Sequence, residues 1–338
     1  MPAGYPVTAY AMCNALGART RDAIAALSEG RSGLEPPPFE LPFETVAGAV
    51  PGELPALPAA VSGWDARVTR IALIALAELS EPVSRAIRRW GKDRVAVVLG
   101  TSTGGLESTE RAYAAHHQSG RLPAWYDYDL QHPFHAFADL VAHVTGAGGP
   151  TYVVSTACST STKVLGSAMR LIGAGVADAV LVGGVDSLIA ESTLARLDAE
   201  GLLGTSDRDG LTPSEAAAFA LIRPAASGVC ISDARYSENA DVLRGAESSW
   251  LLTDLDGTPA KNDAFADLVV AAGGVRFLRR DDLVWLYGDV GAASVPLLAV
   301  HAACAHAADF APADRSIVLL SADAAERRGA VVLEVVDA

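Results

Sequence analysis

Cys158 is the residue of this chain whose type and setting most directly point to chemistry. It follows the β-branched and aromatic run Tyr152, Val153, Val154, which reads as a buried strand after Gly149-Pro150. It precedes Ser159 to Ile172, small residues and good helix formers stopped by Gly173 and Gly175, so the segment is a strand, a sharp turn and a helix. A cysteine at a helix N-terminus meets unpaired backbone N–H groups and the positive end of the helix dipole. Both favour thiolate, the form that attacks a carbonyl carbon. The plainer alternative is a small buried apolar residue, which most free cysteines are.

The elements around Cys158 are those of an α/β protein. Thr160, Ser161, Thr162, Gly166, Ser167 and Ala168 carry little bulk, so their helix can lie close between other layers. The apolar runs Val7 to Met12, Val95 to Gly100, Ala179 to Val182 and Ala218 to Ile222 read as strands. Arg19 to Leu27, Asp65 to Leu79, Pro82 to Trp90 and Gly104 to Gln118 read as helices. Pro36 to Pro58 is proline-rich and extended, and Ser119 to Pro133 is a loop carrying Trp125, Tyr126 and Tyr128.

The later chain repeats this plan in abbreviated form. Ser249 to Asp256 parallels Val95 to Gly100, Leu283 to Gly288 parallels Tyr152 to Ala157, and Ala292 to Ala308 reads as the matching helix. Ile317 to Leu320 and Ala330 to Val335 complete the set. Strands alternating with helices imply βαβ units and largely parallel sheets.

Composition excludes several classes. A formal net charge of −14 argues against nucleic acid, whose phosphates need a basic face. Arg85, Arg88, Arg89, Lys92 and Arg94 form one local basic cluster. No apolar run reaches membrane-spanning length and no basic-then-apolar leader opens the chain, so we expect a cytoplasmic protein that does not enter a membrane. Cys13, Cys158, Cys230 and Cys304 are scattered without metal-ligand spacing, which fits reduced thiols and no metal or cofactor.

Val154-Ser155-Thr156-Ala157-Cys158-Ser159 resembles the nucleophile motif of the β-ketoacyl-acyl-carrier-protein synthases, the ketosynthases of fatty-acid and polyketide assembly. Further similar segments occur in order: Asn14-Ala15-Leu16-Gly17, Gly30-Arg31-Ser32-Gly33, Val97 to Gly105, His132-Pro133, Gly148-Gly149-Pro150, Gly183-Gly184-Val185-Asp186 and Ser214-Glu215-Ala216-Ala217. The Val-Gly-Gly-Val-Asp-Ser variant is similar to ketosynthase-like proteins of aryl-polyene pigment clusters. The resemblance implies a thiolase-like fold, two pseudo-repeated βαβαβαββ halves in layered sheets with buried central helices. Residues 1–224 form the half with the cysteine and 225–338 a shortened, degenerate half. It also implies an acyl-carrier-protein or acyl-coenzyme A thioester as partner, and a homodimer or a heterodimer with a ketosynthase.

The family decarboxylates its extender with two histidines that hydrogen-bond the developing enolate. Anchoring on Thr258-Pro259 puts Asp254 at the first of those positions, and Tyr287-Gly288-Asp289 puts Asp289 at the second. A carboxylate would repel the enolate, so ordinary condensation should be impaired. The family's lysine partner for Glu215 has no counterpart, and its Gly-Phe-Gly-Gly loop is replaced by Ser321-Ala322-Asp323-Ala324. Three functions follow as expectations: a non-condensing partner of an active ketosynthase, like a chain-length factor, docked through Ala179 to Val182; an acyltransferase or thioesterase working through Cys158, alone or with Asp254 and Asp289; or a carrier-binding scaffold.

Overall fold

The computed structural model describes residues 4–156, 160–205, 208–224, 227–256, 258–320 and 328–336. Cys158, and the segment starting at Ser321 that replaces the glycine-rich loop, lie outside these residues.

Ten strands follow the apolar runs. The first five are β1 (Tyr5–Asn14), β2 (Val95–Gly100), β3 (Thr151–Val154), β4 (Ala179–Ser187) and β5 (Glu215–Ile222). The second five are β6 (Gly228–Ser237), β7 (Trp250–Thr253), β8 (Arg279–Asp282), β9 (Arg315–Leu320) and β10 (Arg328–Val336). Their spatial order is β3-β2-β4-β5-β1-β6-β10-β9-β7-β8. Each set reads the same way outward from the middle. β2 is parallel to β3 and β4 as β7 is to β8 and β9, and the remaining neighbours are antiparallel. The two sets meet at a seam of two residue pairs, Tyr5 with Ile231 and Pro6 with Cys230.

The helices are α1 (Thr20–Glu29), α2 (Arg67–Trp90), α3 (Leu106–Ser119), α4 (Tyr128–Gln131), α5 (Phe134–Thr145), α6 (Thr160–Gly173), α7 (Glu191–Ala199), α8 (Pro259–Ala271), α9 (Val284–Tyr287) and α10 (Ser294–Ala307). The lean helix α6 and its counterpart α10 pack on each other and on strands of both sets, forming the buried central layer. Every residue from Ser294 to Ala305 is buried, and all residues of β2, β4 and β5 are too. Strands covered on both faces are near-continuously apolar, as these are apart from Asp186 and Ser187 at the end of β4 and Glu215 at the start of β5. Helices α2 and α5 cover the outer face of the first set, and α8 covers that of the second through Leu268.

Three expectations are corrected. Leu283 to Gly288 is not a strand: the strand is the charged β8, an edge that needs no apolar face, and the apolar run after it winds into α9. Val284, Leu286 and Tyr287 are buried there, while Trp285 is exposed. The two helices expected on either side of Pro82 are one helix, α2. Its apolar stripe runs in phase from Val68, Ile71 and Ala75 through Leu79 to Val83 and Ala86, so burial outweighs the roughly 3 kcal/mol a mid-helix proline costs. Finally, Ala179 to Val182 cannot pair with another chain, because β4 is a fully buried strand between β2 and β5. The free edge of the first set is β3. Strand β6 and helices α5 and α7 were not anticipated, since they lack long apolar runs or strong caps, and neither was α8, although Thr258-Pro259 marks its start.

Candidate functional site

The carboxyl ends of β2 and β4, the start of α6 and the turn before α10 converge on one carboxylate, Asp186. It is wholly buried at the end of Gly183-Gly184-Val185-Asp186. Its oxygens accept from the Thr101 and Thr103 hydroxyls, both at 2.8 Å, and from the Ser102 hydroxyl at 2.5 Å. They also accept from the backbone N–H groups of Ser102 (2.8 Å), Thr103 (2.9 Å) and Ala292 (2.7 Å). A buried charge with this many donors is stable without a cation. The Ala292 carbonyl in turn accepts from Ser161 of α6 at 3.0 Å. Gly291 lets the turn approach: its φ is +54°, and a Cβ there would stand 2.5 Å from an Asp186 oxygen.

That turn carries Asp289. Its backbone is fixed on both sides, with its N–H donating to Thr212 O at 2.7 Å and its carbonyl accepting from Ser214 N at 2.8 Å. Its Oδ1 accepts from Gly291 N at 2.8 Å. Asp254 stands just past the end of β7. The structure brings these two carboxylates to a common neighbour that the sequence reading missed, Lys261 of α8. Lys261 Nζ lies 2.8 Å from Asp256 Oδ2 and within the field of Asp254 and Asp289. Burial alone would lower the ammonium's pKa; the three carboxylates overcome this and raise it. Lys261 acts in the same way on Asp256, holding it below its ordinary value against the upward push of desolvation, with help from Thr258. Asp289 moves the other way. Desolvation pushes its pKa up, Lys261 and the Gly291 N–H pull it back, and Asp256 and Asp186 add to the rise. Buried Tyr287, beside Asp254 and Asp289, is held protonated by burial and by those charges.

Glu215 has a partner other than the family's lysine. It is fully buried and takes a two-pronged ion pair from Arg67 of α2, at 2.6 and 2.7 Å, with further bonds from Ser187 Oγ (2.8 Å) and Val50 N (2.9 Å).

Cys158 itself is not among the described residues, so its position relative to Asp254 and Asp289 is not described either. Of its flanks, Thr156 N donates to Thr160 Oγ1 at 2.7 Å and Lys163 Nζ to Thr156 Oγ1 at 3.2 Å, with Lys163 also 4.2 Å from the centre of the Tyr236 ring. The other three cysteines are free and buried. Burial pushes the Cys13 thiol up to about 12 and the Cys304 thiol to about 11, and raises that of Cys230. His301 is enclosed within α10 against Trp250, where burial lowers it to about 4, and His306 bonds Ser316 at 2.8 Å. Both are structural.

Two pseudo-repeated strand sets around paired buried helices define the thiolase-like architecture of ketosynthases. The family described as beta-ketoacyl synthase, N-terminal domain, matches residues 7–234, and the chain belongs to that family. Its first 3-oxoacyl-[acyl-carrier-protein] synthase 2 relative, from Staphylococcus aureus, is 28% identical over 169 residues, 46% of this chain and 42% of the relative. The match thus spans less than half of that protein. Among solved structures, the chain superposes on a ketosynthase (ApeO) in complex with its chain length factor (ApeC) from Xenorhabdus doucetiae, with a TM-score of 0.87, 23% identity and 98% of both chains covered. The ishigamide ketosynthase/chain length factor gives a TM-score of 0.74 at 19% identity, covering 99% and 100%. Among the described residues, no helix is long and apolar enough to cross a membrane.

Proposed function

We propose that this protein is a non-condensing ketosynthase-like subunit of fatty-acid or polyketide biosynthesis, of the aryl-polyene kind, that pairs with an active ketosynthase as a chain-length factor does. One observation carries the reading. Asp254 and Asp289, the positions that the resemblance puts in place of the family's histidines, both act electrostatically on Lys261, which is ion-paired to Asp256. On that alignment, carboxylates stand where two neutral donors would have to receive an enolate, and they oppose its charge. Structural neighbours that are ketosynthase and chain length factor complexes support the same reading.

The docking edge is β3 in this proposal. β8, the other edge, is Arg279-Arg280-Asp281-Asp282 and guards itself with charge. β3 is Thr151-Tyr152-Val153-Val154 without a charge. The layer formed by α3, α4 and α5, of which α5 packs on β3, leaves Tyr113, Trp125, Tyr128 and Phe134 exposed. The test is malonyl-carrier turnover. The purified chain should release no carbon dioxide from a malonyl carrier thioester and should form a stable complex with its ketosynthase, weakened by Trp125→Asp with Tyr128→Asp. Carbon dioxide release by the chain alone would overturn the proposal.

A second reading, cysteine-dependent acyl transfer from a carrier or coenzyme A thioester, is favoured by Lys163, whose ammonium reaches Thr156 two residues before Cys158. Intact-mass analysis after incubation with acyl-coenzyme A, beside Cys158→Ala, decides it: an acyl adduct lost in the variant supports transfer, and none rejects it.

A further inference from the structure

The ends of β2 and β4 in the first strand set and of β7 and β9 in the second occupy matching places. In the first set the place is filled. Asp186 and its donors Thr101, Ser102 and Thr103 close it, and the gap between Thr103, Glu107, Arg67 and Ser187 holds only about 10 Å³. In the second set the described residues leave a half-open cavity of about 200 Å³ between α8 and the ends of β7 and β9. Leu255, Ala264, Phe265, Leu268 and Leu319 give it mostly apolar walls, and Asp254, Lys261 and Arg328 give it charge.

Mostly apolar clefts with a few converging polar groups are where small molecules bind. The charges select the class of molecule. Lys261 is ion-paired to Asp256 and sits in the field of Asp254 and Asp289. Arg328 is in no ion pair among the described residues, and its Nη2 reaches the Ala264 carbonyl at 3.4 Å, one turn along α8 from Lys261. A guanidinium presents paired N–H donors that match a carboxylate.

We propose that this cavity is a binding site for a short aliphatic carboxylate, with its tail against Phe265, Leu268 and Leu319 and its carboxylate on Arg328. At about 30 Å³ per water-sized group, the space suits a chain of roughly four to six carbons. The cavity shares Asp254 and Lys261 with the partner reading but does not rest on it, since its test reads binding at Arg328 and not condensation.

Calorimetric titration of the full-length chain with hexanoate, hexan-1-ol and hexylamine tests it. Hexanoate should bind saturably and about tenfold more tightly than hexanol, the difference a charge-assisted pair makes. Arg328→Gln should erase that preference and leave hexanol binding intact. Ala264→Leu should occupy the space and abolish binding of both, with thermal unfolding confirming the fold; Ala260→Leu fills the same cavity from the exposed side if the first variant fails to fold. No saturable binding of hexanoate, a preference for hexylamine, or undiminished binding in the folded filled variant would each overturn the proposal.

Discussion

Asp186 accepts the backbone N–H of Ala292 at 2.7 Å, and through that bond the first strand set holds the turn that bears Asp289. The carboxylate is buried with donors from two separate segments, Thr101-Ser102-Thr103 and the turn at Ala292, so its removal orphans all of them. Asp186→Ala should therefore destabilise the chain by at least about 3 kcal/mol, more than one lost hydrogen bond. Urea unfolding measures it; a change below about 1 kcal/mol would contradict the packing role given to Asp186.

Arg67 and Glu215 give a second prediction. Arg67→Ala leaves a fully buried carboxylate unpaired, a loss of about 3 to 5 kcal/mol for a broken buried pair. Arg67 is itself 30% exposed, so water entering the gap should bring the loss to the lower end. Arg67→Lys keeps the charge but not the fork, and should recover only part of it. The comparison of the three midpoints in one denaturant series checks both statements.

His301 sets a pH dependence. Its value in the fold, about 4, lies below the ordinary 6.5, so the unfolded chain binds the proton more readily. Stability from the neutral ring is complete above about pH 6.5 and is lost as pH falls toward 4. Asp289 runs the opposite way, because a raised carboxyl favours the fold when protonated, so it blunts the slope as pH falls. Denaturation at pH 7 and pH 5 should show a loss at the lower pH that shrinks in His301→Leu.

Thiol reactivity offers a fourth. Cys13, Cys230 and Cys304 are buried with raised pKa values, so native-state iodoacetamide at pH 8 should leave all three unmodified over the time in which Cys158 reacts. Peptide mapping reads the order. Modification of Cys158 no faster than the others would end the acyl-transfer reading.

Much of the architecture was legible because the buried strands are continuous apolar runs: β2, β4 and β5 match Val95 to Gly100, Ala179 to Val182 and Ala218 to Ile222 at their cores. β8 was not, because an edge strand of four charged residues carries no such run. Asp254 and Asp289 could be named from the family resemblance, but their common neighbour could not. Lys261 was missed by looking for a lysine just upstream of Tyr287. A signal was there: Thr258-Pro259 marks the start of α8, and a lysine in a helix's first turn opposes the helix dipole unless a carboxylate pays it back. The donors of Asp186 come from segments more than 80 residues away, which no local pattern links. Arg67 escaped for the same reason, standing 148 residues from Glu215.

The two outer edges of the sheet differ in a way that sets stoichiometry. Charge closes β8 to strand addition and leaves β3 able to accept one neighbour. An object with a single joinable edge has no second joint from which to continue. Edge-to-edge growth therefore stops at two chains, and the same asymmetry that would admit a partner withholds the route to a filament.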